Sequence, residues 1–103
     1  MSLERARLHA LMSGERERFE SARPRSKELF QKASLRMPGG VPMLWMAKWP
    51  GPWPVYVKSA RGAHFECVDG IDHVDLCLGD TGAMVGHSPP ATSQAIVDQL
   101  SKG

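Results

Sequence analysis

Four side chains able to hold a metal or move a proton, His64, Glu66, His73 and Asp75, fall within the stretch GAHFECVDGIDHVD. Two imidazoles and two carboxylates are a donor set that suits zinc or iron. If Asp69-Gly70 is the turn between two strands, alternation sets these four on one sheet face with Val68 and Cys77. Ala63, Phe65, Cys67, Val74, Leu76 and Leu78 then take the other face. The same four residues also make ordinary opposite-charge pairs across a wet sheet face. Two strands alone fix a metal poorly, so pairing is the expectation and no metal is assigned. Cys67 and Cys77 fall on opposite faces and point apart, which leaves two structural thiols rather than a disulfide.

A second set of interest is GDTGAMVGHSPP, with glycines at 79, 82 and 86. The spacing is neither G-x-G-x-x-G nor a Walker motif, and no Lys-Ser/Thr follows, so backbone freedom and close packing account for the glycines. His87 stands beside an expected helix start. With no nucleophile-and-base pairing evident around it, it reads as a structural histidine satisfied by backbone. Spacing therefore assigns no catalytic residue.

The elements that position these groups follow from periodicity. Leu3, Ala6, Ala10 and Leu11 recur at helical spacing, predicting a helix from Ser2 to about Glu20 that Gly14 weakens. Pro24 marks a break, after which Ser26 can cap a second helix with Leu29, Phe30, Ala33 and Met37 on one face, ended by Pro-Gly-Gly. From Val55 the period changes to that of strands, expected near 55–59, 63–68 and 73–78. Ser88 is placed to cap a last helix with Pro89 at its first position, and Ile96, Val97 and Leu100 form its buried stripe. The fold class is α+β, a small antiparallel three-stranded sheet with flanking helices. The chain divides as a helical segment 1–36, a loop 37–54 and a β-meander with its following helix, 55–103.

Composition excludes several classes. Hydrophobic residues make up 42% of the 103, near the globular norm, which removes any case for general disorder. Residues 1–36 carry nine Lys/Arg against five Asp/Glu, but the signs alternate, as in GERERFE, and no aromatic residues interleave to stack on bases. This is a solvated helix face, not a nucleic-acid arm. No apolar run can span a bilayer, and the N-terminus lacks the apolar core of a secretory signal. Two cysteines without such a signal point to the cytosol.

The segment MPGGVPMLWMAKWPGPWP, Met37 to Pro54, holds all three tryptophans and five of the eight prolines. Trp45, Trp49 and Trp53 are spaced as on one helix face, yet Pro42, Pro50, Pro52 and Pro54 oppose a continuous helix. Contiguous aromatic surface marks a contact site or a ligand pocket, and proline stiffness lowers the ordering cost of binding. Packing onto the rest of the protein is an equal use for it. A free-standing module that binds a protein partner through this loop is the alternative reading of the chain.

The order of three motifs, LFQKASLRMPGGV, GAHFECVDGIDHVDL and GDTGAMVGHSPPATSQAIVDQLSKG, resembles the N-terminal part of class III, fold-type I, PLP-dependent aminotransferases. The subgroup most resembled is the glutamate-1-semialdehyde aminomutases and related transaminases. The resemblance runs from about Ser26 to Gly103. It implies transfer of an amino group between an amine or amino acid and a keto acid, with pyridoxal 5'-phosphate as cofactor, in a homodimer when intact. It implies too that the Schiff-base lysine and the phosphate loop lie later in such chains, in a large domain to which 55–103 leads. Lys27, Lys32, Lys48, Lys58 and Lys102 match no such motif, so this chain alone is expected to be inactive and its cofactor-binding residues are unknown. By the same resemblance Trp45, Met46 and Trp49 line the substrate entrance near the dimer interface, and Asp80, Thr81 and Gly82 approach cofactor and substrate. Several relatives grip a substrate carboxylate with an arginine in the loop after Pro-Gly-Gly-Val. Here that loop reads PMLWMAKW, with only Lys48, which moves the expectation from the semialdehyde toward more apolar amines or amino acids.

Overall fold

The computed structural model describes residues 4–48 and 50–103. The chain divides into two units between Tyr56 and Val57.

The first unit is built on two helices, α1 (Arg5–Ala22) and α2 (Pro24–Ser34). Gly14 is accommodated inside α1 at a cost of about 0.5–1 kcal/mol relative to alanine. The expected break falls at Arg23, between the two helices, and Pro24 is the first residue of α2. Its fixed φ suits that position and its missing N–H would be unpaired there in any case. The first helical bond runs from the Lys27 N–H to the Arg23 carbonyl, 3.1 Å. Ser26 is accordingly not the cap that the sequence suggests but a fully buried residue within the first turn. The helix also stops before Met37, whose N–H bonds the Ala33 carbonyl at 2.8 Å in a closing turn.

Among its described residues the Trp/Pro segment is irregular apart from two short 3-10 helices, Pro38–Gly40 and Leu44–Lys48. Its two described tryptophans have unlike roles. Trp53 is 6% exposed and is the centre of this unit's core. The Phe19 ring of α1 lies 5.7 Å from it, tilted by 56°, and the Lys27 ammonium of α2 lies over its ring, 5.2 Å from the centroid. Arg23 in turn lies over Phe19 at 4.5 Å, so the ring pair has a cation on each of its members. Trp45 is half exposed on the second 3-10 helix. Trp49 lies outside the described residues.

The second unit is an antiparallel meander, β1 (Val57–Arg61), β2 (His64–Cys67) and β3 (Asp72–Val74), ordered as in sequence, followed by helix α3 (Pro90–Leu100). The β1–β2 pairing carries a bulge at Lys58, whose ammonium reaches Glu66 on β2 at 2.8 Å. Between β2 and β3 the register differs from the expected one. Phe65 faces His73, His64 faces Val74, and the Cys67 N–H bonds the Ile71 carbonyl at 3.0 Å. Three residues, not two, form the turn, with Gly70 at φ +79° taking the left-handed position that closes such a loop. The extra residue exchanges the faces of every β3 side chain. His73 stacks on Phe65 with centroids 4.7 Å apart and planes within 15°, while His64 and Glu66 stay on the other face. The four-residue donor set is thereby divided.

The end of the unit also departs from expectation. Ser88 has φ +50° and does not cap α3; the helix begins at Pro90, one residue later than expected, with Pro89 as its uncapped lead residue. Ile96, Val97 and Leu100 are more than half exposed. Among the described residues α3 packs on no other helix or strand, so the expected buried stripe faces outward.

Candidate functional site

The glycine-punctuated loop is the most constrained part of the second unit, and its centre is Asp75. Where a third strand to residue 78 was expected, β3 ends at Val74. The Asp75 carboxylate takes the N–H of Cys77 on one oxygen (3.0 Å) and the N–H of Gly79 on the other (2.8 Å), which bends the chain away from the sheet. The second oxygen also meets His87 Nε2 at 2.6 Å. An ionised carboxylate only accepts, so His87 carries its proton on Nε2. These donors hold the Asp75 carboxyl below the usual carboxylate range, with the His87 bond the largest cause. The Asp75 side chain is only 10% exposed and that of His87 24%.

His87 is fastened from a second direction. Its N–H donates to the Gly62 carbonyl at 2.8 Å, and the Gly62 N–H donates to the His87 carbonyl at 3.0 Å, tying the loop's end to the β1–β2 turn. Gly86 lies so close to that turn that a Cβ on it would come within 3.1 Å of the Gly62 Cα. A Cβ on Gly79 would meet the His87 ring at 3.1 Å. The intervening chain is compact, with Ala83 buried and its N–H on the Leu78 carbonyl at 2.8 Å. At the tip Leu78, Asp80 and Thr81 all have positive φ, +56°, +54° and +71°. Non-glycine residues take that conformation at about 1–2 kcal/mol each, so the loop is held there by its surroundings. Asp80, Thr81 and Gly82 are exposed at this tip.

The expected pocket residues of the first unit are arranged differently. Met46 lines a cleft of about 50 Å³ with Phe30, Val41, Ala47 and Trp53. That is room for a few water molecules, well short of the roughly 300 Å³ at which small-molecule pockets begin. Trp45 is not among the residues lining it and shows its ring to solvent. Trp45 and Met46 thus belong to one unit and Asp80, Thr81 and Gly82 to the other. The pairing of Asp75 with His87 escaped the sequence reading because the two stand twelve positions apart in no catalytic spacing. The signal that could have found it is the pair of glycines, Gly79 making room for the His87 ring and Gly86 for the Gly62 backbone.

No family model matches the chain. The chain is 43% identical over 79 residues to glutamate-1-semialdehyde 2,1-aminomutase of Methanococcoides burtonii, a match that covers 77% of this chain and 18% of that protein. Among solved structures, a glutamate-1-semialdehyde-aminomutase from Pseudomonas aeruginosa is similar over the whole of this chain and 23% of its own, with a TM-score of 0.90 and 40% identity. A β-phenylalanine aminotransferase from Variovorax paradoxus is similar over 88% of this chain and 21% of its own, with a TM-score of 0.79 and 25% identity. The chain matches one segment of the class III PLP-dependent aminotransferases. It spans about a fifth of the length of the relatives it matches.

The chain's described residues do not by themselves make a PLP site. Among the described residues, Lys32 is engaged by Glu28 at 2.5 Å and Lys58 by Glu66, while Lys27 lies over Trp53. Lys48 and Lys102 are exposed, and no lysine lines the cleft of the first unit or the depression over the sheet. The 50 Å³ cleft is lined by apolar, glycine and proline residues, with nothing to hold a phosphate. A shallow depression of about 430 Å³ over the sheet sets Arg61 and His64 against Glu66 and Asp72, a balance with no preference for an anion. Among the described residues, these two clefts do not gather groups that could hold the cofactor's ring and phosphate.

Proposed function

We propose that the protein to which this segment contributes transfers an amino group between an amine or amino acid and a keto acid with PLP, or shifts one within a molecule as the related semialdehyde aminomutase does. The observation that carries this is the match of the entire chain to the Pseudomonas aeruginosa aminomutase at a TM-score of 0.90 and 40% identity. One solved neighbour is a transaminase with PLP bound, which supports PLP as the cofactor. In this reading Trp45, Met46 and Trp49 form part of the substrate wall, and Asp80, Thr81 and Gly82 approach cofactor and substrate. The exposed Leu44 and Trp45, with Lys48 as the one cation of that 3-10 helix, favour an apolar amine or amino acid over a dicarboxylate-like one. The intact protein is a cytoplasmic homodimer in this proposal. Free cysteines and the lack, among the described residues, of a helix long and apolar enough to cross a membrane fit the compartment. Outward apolar side chains fit the second subunit.

The experiment is to purify the product of the complete reading frame and assay it against glutamate-1-semialdehyde and a panel of amines with keto acid acceptors. Retained PLP and turnover of any of these support the proposal. A product that neither retains PLP nor transfers an amino group overturns it.

A further inference from the structure

We infer that Asp75 and His87 are positioning residues, whose hydrogen bond holds residues 77–86 in the left-handed turn that presents Asp80, Thr81 and Gly82 to the substrate. This rests on the proposed function only for what the tip faces; the holding is a property of the chain. Three non-glycine residues at positive φ do not stay there unaided, because the conformation persists only where the surroundings over-determine it. The restraints that do so converge on two side chains. Asp75 accepts from Cys77, Gly79 and His87, and His87 packs on Gly79 while its backbone is paired with Gly62. Both side chains are turned away from solvent, so neither is offered to a ligand, whereas Asp80 and Thr81 are. A carboxylate with three donors is a stiff anchor, since charge-assisted bonds are about twice as strong as neutral ones.

The test is residue-resolved amide hydrogen exchange on the 103-residue chain, comparing wild type with Asp75→Ala, His87→Ala and His87→Gln. In both alanine variants exchange at the Cys77 and Gly79 amides accelerates about tenfold or more, while amides of α1 and α2 keep their rates. Glutamine can present an N–H toward the carboxylate, so His87→Gln restores a large part of the protection. Unchanged rates at Cys77 and Gly79 in the alanine variants overturn the inference. So does a loss that glutamine leaves as large as alanine does, because the donor would then not matter. In the complete protein His87→Ala lowers kcat or raises KM for the amino donor beyond what His87→Gln does. Wild-type kinetics in His87→Ala overturn the positioning role and leave the aminotransferase reading standing. A wild-type protein without any amino transfer overturns that reading, while the exchange data still decide whether the pair holds the loop.

Discussion

Gly40 lies against the ring of Phe30 so closely that a Cβ added to it would sit 2.6 Å from Phe30 Cε2 and 2.7 Å from the Ser34 hydroxyl. Its φ of +70° is also in the left-handed region. The contact fixes how the Pro-Gly-Gly turn closes on α2, and with it the course of the chain toward Trp53. Gly40→Ala combines overpacking with a disfavoured backbone and is expected to lower stability by about 2–4 kcal/mol. Urea unfolding followed by circular dichroism measures it, and a loss under roughly 0.5 kcal/mol, the ordinary range of surface substitutions, contradicts the packing described.

The tryptophans separate by the same measurement. Trp53→Ala removes the buried ring between Phe19 and Lys27 and is expected to cost about 3–5 kcal/mol. Trp45→Ala, at 53% exposure, stays within about 0.5 kcal/mol of wild type. Equal losses would mean that Trp45 is part of the core.

The two thiols differ as sharply. Cys67 is fully buried and Cys77 exposed. An aromatic disulfide reagent should label one thiol promptly in the native chain and the second only after denaturant is added. Cys77→Ser should abolish the prompt reaction. Two prompt thiols would show that β2 opens readily.

The loop carries a pH dependence of known sign. Because Asp75 has a lowered carboxyl pKa in the folded chain, its contribution is complete above the ordinary carboxylate range and is lost as pH falls through the lower folded value. The amide chemical shifts of Cys77 and Gly79 are expected to stay constant from neutral pH into that range and to move only below it. In His87→Ala the midpoint rises, since the largest cause of the shift is gone. A midpoint at or above the ordinary range in the wild type would contradict the hydrogen bond.

Much of this architecture is legible from residues 55–103, where alternation and the Gly62 and Gly70 turns give three strands in the right order. The register is not legible. Asp-Gly is a signature of two-residue turns and also ends three-residue ones, and only cross-strand contact between Phe65 and His73 shows which is used. Local signals misplaced the helix starts for a different reason. Ser26 and Ser88 have capping side chains, but prolines at 24 and 90 take the first helical position. Trp45 and Trp53 are alike in sequence, and what selects Trp53 for the interior is a ring from α1 and a cation from α2. The Asp75–His87 pair is long-range and leaves no periodic trace. The resemblance to aminotransferases was carried by motif order, which survives such local errors.

The closeness of Gly86 to Gly62 sets a rule for recombination. Because the loop's backbone rests directly on the β1–β2 turn, with no side chain between them, residues 75–87 are not an interchangeable cassette. A loop swapped in from a relative must bring its own turn with it, or find a bare glycine already waiting at the dock. Chimeras that exchange 57–88 as one block should therefore keep their shape where exchanges of the loop alone lose it.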